Sequence, residues 1–299
     1  MQARHWLVVA LVSFAACGDG RTGRGIATDG TLTLLREKNL SELLPATGRY
    51  EASGVALRDG ALLVAFDNRT QVAEVDLALS TAKLGPGAKS ASQYEGITIA
   101  ARPLPRVYVV REIGAGGRGE IVTLDDLGNV AATEPTDIAF SGNKGLEGIA
   151  WLDDVERLLV LCEASACGAG DRRAGHGLVT ALRHEGTSWV TEASLPLPDV
   201  RFDDYSDLAV LPEADGTHRI AVLSQESAAL WLGTLTTRPL AILGPGVVYG
   251  FPKAADRVQY CSLEGVTFID ARTFAMASDR VEDAAGCTKG EALHVFALP

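Results

Sequence analysis

Short apolar runs separated by turn residues recur along most of the chain. Five of them open with a similar motif, a polar residue that is followed in four cases by glycine. The five segments are Ser53–Ala56, Glu95–Thr98, Glu147–Ala150, Asp207–Val210 and Glu264–Thr267. They start 42, 52, 60 and 57 residues apart. Runs this short, bounded by Gly, Asp or Pro, predict strands and not helices.

Two further strand-like runs follow each motif. The second runs are Ala61–Phe66, Arg106–Val110, Arg157–Leu161, Arg219–Leu223 and Thr273–Ala277. The third runs are Gln71–Asp76, Glu120–Asp125, Gly177–Leu182, Ala228–Leu232 and Leu293–Ala297. Repeats of roughly 40–60 residues, each with about four short strands, are typical of β-propeller blades. The chain is therefore predicted to be an all-β propeller.

Closure of the predicted ring depends on the run Thr31–Arg36, which precedes the first motif. We expect this strand to pair beside Leu293–Ala297, so that the first and last parts of the chain complete one blade. This arrangement predicts five four-stranded blades. Six blades stay open as an alternative, because residues 236–260 are loosely patterned and have room for further strands.

The chain begins with a segment typical of export. Arg4 and His5 precede the apolar run Trp6–Ala16, which is shorter than the ~20 residues that span a bilayer but suits a signal-peptide core of roughly 7–15 residues. Its end, Phe14-Ala15-Ala16-Cys17, resembles a bacterial lipobox. We predict a lipoprotein signal peptide over 1–16, a lipidated Cys17 with a Gly-rich tether over 17–30, and the propeller over 31–299. An ordinary signal peptide cut nearby is the alternative.

This segment predicts a lipid-anchored protein of the cell envelope, either periplasmic or in the outer membrane. The four remaining cysteines fit an exported protein, in which an even number favours disulfides. Proximity in sequence favours the pairs Cys162–Cys167 and Cys261–Cys287 among three possible pairings, with buried free thiols as the alternative.

Composition narrows the function classes. The hydrophobic content of 47% is that of a globular protein and excludes a disordered chain. The net charge of −11 argues against a nucleic-acid partner, because phosphate binding requires a basic surface. Trp151, Trp189 and Trp231 are interpreted as packing between blades.

The segment Asn143–Trp151 resembles the strongest motif of the SdiA-regulated β-propeller family. Asp207-Leu208, Leu223–Ser227 and Leu263–Val266 fit the same pattern, over roughly residues 45–298. The fourth motif departs from it, with Leu208 where glycine is expected. The resemblance implies a five-bladed, often exported propeller, with a ligand or metal site over its central channel and no assigned activity.

In a propeller, the start of each inner strand and the end of the next strand lie together at the channel mouth. Polar or acidic residues occupy both places in nearly every predicted blade. Carboxylates this close repel one another unless a cation intervenes. The predicted metal ligands, for one Ca²⁺ ion, are Glu95, Glu147, Asp207 and Glu264. The predicted ligand-binding residues are Asp67, Asn68, Glu112, Glu163, Glu226 and Asp279.

Other interpretations of these residues stay open. Arg111, Lys144 and Arg280 are candidates to neutralise part of the ring. Alternatively, the carboxylates accept backbone N–H groups, and the glycines relieve crowding between inner strands. Two functions follow: a binding module for a small molecule or an envelope protein, or a Ca²⁺-dependent hydrolase acting on an ester, lactone or phosphate, with Glu112, Glu163 or Glu226 as its base.

Overall fold

A computed structural model describes residues 26–46, 48–90, 92–101, 105–140, 145–163, 177–198, 202–255, 257–260, 262–279 and 288–299. These residues form 23 strands and a single four-residue helix, α1 (Leu40–Leu43). The chain enters through β1 (Gly30–Thr31) and β2 (Thr33–Asn39). The predicted all-β propeller fold is confirmed.

The remaining strands follow one another in antiparallel sheets. The first sheet contains β3 (Ala52–Arg58), β4 (Ala61–Phe66), β5 (Arg69–Asp76) and β6 (Ala82–Leu84). The second contains β7 (Tyr94–Ala100), β8 (Arg106–Arg111), β9 (Arg118–Leu124) and β10 (Val130–Ala139). The third contains β11 (Leu146–Leu152), β12 (Arg157–Cys162), β13 (Leu178–Glu185) and β14 (Ser188–Pro196).

The fourth sheet contains β15 (Asp207–Pro212), β16 (His218–Ser224), β17 (Ala229–Thr237) and β18 (Leu240–Gly250), with β1 added at its edge. A separate hairpin follows, β19 (Lys253–Ala254) and β20 (Arg257–Val258). The fifth sheet contains β21 (Leu263–Phe268), β22 (Thr273–Ser278) and β23 (Ala292–Ala297), with β2 as its outermost strand. The loosely patterned residues 236–260 thus supply the outer strand of the fourth sheet and the short hairpin.

The inner strands form a ring in the described part of the chain. In chain order they are β3, β7, β11, β15 and β21; each contacts the next, and β21 contacts β3. Apolar side chains fill the space between neighbouring sheets. Phe66 of the first sheet and Leu293 of the fifth, for example, share one buried cluster, and Trp231 of the fourth lies in a cluster with Leu159 of the third.

The ring is closed by a strand from the start of the propeller. β2 pairs antiparallel with β23, from Thr33 opposite Ala297 to Asn39 opposite Ala292. The predicted closing run is divided, however. Thr31 belongs to β1, which pairs in parallel with β18 of the fourth sheet. The entering chain therefore ties together the fourth and fifth sheets.

One further join links two sheets at their outer edges. Thr136 of β10 pairs in parallel with Trp189 of β14, so the second and third sheets form one eight-stranded sheet. The Asp137 carboxylate reinforces this join by accepting the Thr191 N–H at 3.0 Å and the Thr191 hydroxyl at 2.8 Å.

Several sequence predictions concern residues outside the described ranges. These are the signal peptide, Cys17 with most of the tether, Lys144, Arg280, and the cysteines at 167, 261 and 287. Cys162 is buried at the end of β12. The disulfide pairings therefore stay predictions. Within the described ranges, we find no helix with the length and apolarity needed to cross a bilayer.

Candidate functional site

A β-bulge shapes the start of four of the five inner strands. In β11, Leu146 pairs with Cys162 and Gly148 with Leu161, which leaves Glu147 as the extra residue. Ser53, Glu95 and Glu264 occupy the same place in β3, β7 and β21. Bulges bend a strand and redirect a side chain. The bulge therefore removes three glutamates, Glu95, Glu147 and Glu264, from the regular pairing between the first and second strands of their sheets.

The glycine after each bulge allows the inner strands to approach closely. A Cβ atom on Gly54 would lie 2.6 Å from the Glu95 carbonyl oxygen, and one on Gly96 would lie 2.8 Å from the Ile149 nitrogen. No real Cβ packs at such distances against backbone. These contacts support the interpretation that glycine at this position relieves crowding between sheets.

The residues that follow the second strands are held by their own backbones. The Glu112 N–H donates to the Gln93 carbonyl, and the Glu112 carbonyl accepts the Leu146 N–H. Glu163 donates to the Gly145 carbonyl and accepts the Tyr205 N–H. Asp67 and Asp279 are bonded at both backbone groups in a similar way. These four residues are thus fixed in place by bonds to neighbouring connections.

These two sets of residues meet around one cavity of about 230 Å³. Eight of its eleven lining residues are carboxylic acids. The lining residues are Asp67, Glu95, Glu112, Glu147, Glu163, Asp204, Tyr205, Ser206, Gln225, Glu264 and Asp279. No lysine, arginine, histidine or cysteine is among these described lining residues. We call this cavity the acidic mouth.

Three glutamates of the acidic mouth are close enough to share one ion. Glu112 comes from the second sheet, and Glu147 and Glu163 come from the third. One carboxylate oxygen of each lies within 4.8 Å of the other two. Two ligands of a single Ca²⁺ ion, each ~2.4 Å from it, lie at most about 4.8 Å apart. The spacing of this trio therefore suits one such ion.

Burial and mutual repulsion raise the pKa of several carboxylic acids that line the acidic mouth. Burial raises the pKa of Glu95 well above its ordinary value, and the charges of Glu147 and Glu264 raise it further. Burial likewise raises the pKa of Glu264, with Asp279 and Glu147 adding to the effect. The pKa of Asp67 is raised by burial and by Glu51. Ionising the whole group in a low dielectric is costly without a cation.

Asp207 differs from the other inner-strand acids. β15 has no bulge, and Asp207 pairs in register with Leu223. One carboxylate oxygen accepts the Leu208 N–H at 2.8 Å and the other accepts the Val266 N–H at 2.8 Å. Its side chain is buried and is not among those that line the acidic mouth. In the structure, this predicted metal ligand instead binds backbone N–H groups of its own inner strand, β15, and of the neighbouring inner strand, β21.

Two predicted ligand-binding residues also lie outside the lining of the acidic mouth. The Asn68 amide donates to the Arg49 carbonyl at 3.2 Å, and Glu226 is exposed to solvent. Arg111, a candidate to neutralise the ring, instead pairs with Glu120 at 2.6 Å. Of the nine carboxylates that the sequence predicts at the channel mouth, seven line the acidic mouth in the structure, and Asp207 and Glu226 do not.

Sequence reasoning missed Asp204, which is buried beside the acidic mouth. Its carboxylate accepts the Ser224 hydroxyl at 2.5 Å and the Glu226 N–H at 3.0 Å. Asp204 lies in the connection before β15 and not at a strand end, so the blade pattern gave no signal for it. The polar run Asp203–Ser206 beside the fourth motif was the available clue.

Comparisons with known proteins support the fold alone. No protein-family model matches the chain, and no curated protein matches its sequence. A GH43_1 enzyme from Xanthomonas citri shares 13% identity over 83% of this chain and 87% of that chain, with a TM-score of 0.51. An auxiliary nutrient binding protein from Bacteroides thetaiotaomicron shares 7% identity over 84% and 69%, with a TM-score of 0.50.

Two further similar structures are longer than this chain. The chain spans 58% of a hydrazine synthase chain from Kuenenia stuttgartiensis and 56% of the chain of the Dos1 propeller. These matches cover 79% and 84% of this chain, at 9% identity each and TM-scores of 0.45 and 0.42. Membership of the SdiA-regulated family stays a prediction.

Proposed function

We propose that this propeller binds one divalent cation, preferably Ca²⁺, at the acidic mouth and presents it to an oxygen-bearing ligand. The observation that carries the proposal is the convergence of Glu112, Glu147 and Glu163 within 4.8 Å. The raised pKa of Glu95 and of Glu264 supports it, because a bound cation would offset the repulsion that opposes their ionisation.

The donor atoms favour a hard cation. The described lining of the acidic mouth offers carboxylate, amide and hydroxyl oxygens, and it contains neither histidine nor cysteine. Oxygen ligands suit Ca²⁺, Mg²⁺ and Mn²⁺, whereas imidazole and thiolate suit zinc and copper. Ca²⁺ tolerates irregular sets of six to eight ligands, which fits acids contributed by several sheets.

Metal analysis and thermal unfolding test this proposal directly. After treatment with EGTA and return to Ca²⁺, the protein should hold about one ion per chain. Its melting temperature should rise, because ~2.7 kcal/mol is gained when the free ion is at 100 times its dissociation constant. Glu147→Gln should abolish both results. Glu226→Gln is the matched control, because Glu226 lies outside the acidic mouth, and it should retain both.

The contrary result is equally clear. A protein that holds no stoichiometric ion and melts at the same temperature in EGTA and Ca²⁺ would refute the cation site. So would a Glu147→Gln protein that binds the ion as well as the Glu226→Gln control.

A hydrolase acting on an ester, lactone or phosphate is the second candidate. The observation that favours it is the presence of Glu95 and Glu264, two carboxylic acids with raised pKa beside the proposed cation site. Such groups are suited to proton transfer near a polarised oxygen. Turnover of a substrate panel that needs Ca²⁺ and falls in Glu163→Gln would support this function. If no substrate of the panel is turned over, the hydrolase is rejected and the cation-dependent binding module is the function that is kept.

We also propose that Cys17 carries a lipid that anchors the protein in the cell envelope, as in the exported members of the SdiA-regulated family that it resembles. The proposal rests on the segment Phe14–Cys17. Lipid labelling and membrane fractionation of wild type and Cys17→Ala test it. Loss of both label and membrane association in the variant supports the anchor, and their retention contradicts it.

A further inference from the structure

A second cavity, of about 810 Å³, lies between the second and third sheets. Glu147, near the start of β11, lines the acidic mouth, whereas Trp151 lies four residues further along the same strand and lines this second cavity. At ~3.3 Å per residue, the two positions are about 13 Å apart. The volume of this second cavity falls within the range of ~300–1,000 Å³ that is typical of small-molecule sites. We call it the inter-sheet groove.

Three aromatic side chains line the inter-sheet groove. The ring of Tyr108 lies 5.7 Å from the rings of both Trp151 and Trp189, measured between centroids. Tyr108 and Trp189 are buried, whereas Trp151 is partly exposed. The Trp151 indole N–H donates to Asp153 at 2.8 Å, which fixes the orientation of the ring. Trp151 therefore packs between the two sheets and also presents part of its side chain to the inter-sheet groove.

The walls of the inter-sheet groove are tied together across the two sheets. Glu134 of β10 accepts the Trp189 indole N–H at 3.1 Å and lies 3.0 Å from the His184 ring nitrogen of β13. The parallel pairing of Thr136 with Trp189 lies next to these contacts. A groove held in this way needs little rearrangement on binding, which lowers the entropic cost of association.

The charged groups of the inter-sheet groove carry both signs. Its lining includes three arginines and four carboxylates: Arg106, Arg157, Arg183, Asp125, Asp126, Glu134 and Glu156. An anionic ligand would face the carboxylates, and a purely apolar ligand would strip water from charged groups without replacing their hydrogen bonds. A polyhydroxylated ring avoids both costs, since its hydroxyls donate to carboxylates and accept from guanidinium groups.

We propose that the inter-sheet groove binds a carbohydrate, with the apolar face of one pyranose ring stacked on Trp151 and its hydroxyls bonded to the surrounding acids and arginines. This site goes beyond the proposed cation function and does not depend on it. The proposal predicts a binding surface at the end of the strands opposite the acidic mouth.

Titration with defined oligosaccharides tests the proposal. The probes are the uncharged hexasaccharides of amylose, cellulose, xylan and chitin, added to the purified protein and followed by tryptophan fluorescence and calorimetry. Among the described tryptophans, Trp151 and Trp189 line the groove and Trp231 does not, so a change in emission reports on these two residues, and the part that is lost in Trp151→Phe reports on Trp151. At least one hexamer should bind with a dissociation constant below ~1 mM.

Variants separate stacking from a structural role. Trp151→Ala should weaken binding at least tenfold, whereas Trp151→Phe, which keeps an aromatic face, should stay within about threefold of wild type. Arg106→Ala, at an exposed position of the groove, should weaken binding severalfold without lowering the melting temperature. Glu163→Gln, in the acidic mouth, should bind as wild type does.

Three results would overturn the proposal. The first is that no hexamer binds with a dissociation constant below ~1 mM. The second is unchanged affinity in a folded Trp151→Ala or, where that variant fails to fold, unchanged affinity in Arg106→Ala. The third is binding of free indole or inorganic phosphate that the hexamers fail to displace.

Discussion

The Asp207 carboxylate accepts the backbone N–H of Val266 at 2.8 Å, and this bond joins the fourth inner strand to the fifth. The other oxygen of the same carboxylate accepts the Leu208 N–H. Asp207 thereby stabilises the one inner strand that lacks both the bulge and the following glycine. The acid at the first position of the motif therefore has one of two roles in this ring. Asp207 bonds two inner strands together, whereas the glutamates at the same position line the acidic mouth.

We predict that Asp207→Asn lowers the free energy of unfolding by about 1–3 kcal/mol. The amide NH₂ would replace one acceptor and leave a buried backbone N–H without its partner. Denaturant unfolding in the presence of EGTA measures the loss. The melting shift caused by Ca²⁺ should be unchanged in this variant. Loss of the Ca²⁺ shift with normal stability would instead make Asp207 a metal ligand.

A methyl group at Gly96 should disturb both the ring and the acidic mouth. In Gly96→Ala the new Cβ would meet the Ile149 nitrogen at 2.8 Å and the Glu147 carbonyl oxygen at 2.9 Å, so backbone must shift. Overpacking of this kind typically costs ~1–3 kcal/mol. Displacement of Glu147 should also weaken Ca²⁺ binding, as isothermal calorimetry would show.

Gly250→Ala is the control for that experiment. The nearest atom to its Cβ would be a side-chain methyl of Thr28 at 3.3 Å, and neither residue lines the acidic mouth. It should leave Ca²⁺ affinity unchanged. Equal Ca²⁺ affinity in both variants would show that the close approach at Gly96 does not position Glu147.

Glu264→Gln should stabilise the cation-free protein at neutral pH. Burial and nearby acids raise the pKa of Glu264, so the folded protein resists ionisation of this group. The free energy of unfolding of wild type should therefore fall as the pH rises from about 4.5, the ordinary pKa of a glutamate, through the raised pKa. In EGTA at pH 7.5 the variant should melt roughly 2–5 °C higher than wild type. At pH 4 the difference should vanish. A lower melting temperature at pH 7.5 would contradict this account.

His294 should make the fold sensitive to acid. It is fully buried, its Nε2 atom lies 3.0 Å from the Ser278 hydroxyl, and burial lowers the pKa of His294 to about 4. The unfolded chain, with a histidine pKa near 6.5, therefore binds more protons between these values. Stability should fall by about 3 kcal/mol as pH drops from 6.5 to 4.

Unfolding by urea at several pH values, in EGTA, measures this effect. The difference between wild type and His294→Gln isolates the histidine from the acids of the mouth, whose ionisation acts in the opposite direction. The exposed His184→Gln serves as control and should keep the wild-type dependence. Equal acid sensitivity in wild type and His294→Gln would show that another group is responsible.

The sequence predicted strand positions well because each blade repeats a local pattern. The predicted runs Ala61–Phe66 and Leu293–Ala297 lie in β4 and β23, and residues such as Glu112 and Glu163 follow their strands as expected. Strand alternation and the topology of a propeller suffice to place such residues at one end of the ring.

Residues whose positions depend on register could not be placed in this way. A bulge changes which side chains leave the ladder, and its absence in β15 keeps Asp207 between strands. The position of Asp204 depends on the path of the connection before β15, which the repeated strand pattern does not specify. The inter-sheet groove depends on a pairing between β10 and β14, two strands that are distant in sequence.

The pairing of β2 with β23 also fixes when the molecule can be completed. Residues 33–39 are synthesised long before their partners, residues 292–297, so the ring stays open until residue 297 is available. Contacts this distant in sequence slow folding, because the entropy of closing a long loop is lost before the contacts form. A chain truncated before Ala292 would leave the edges of β2 and β22 bare, and exposed strand edges of this kind favour aggregation.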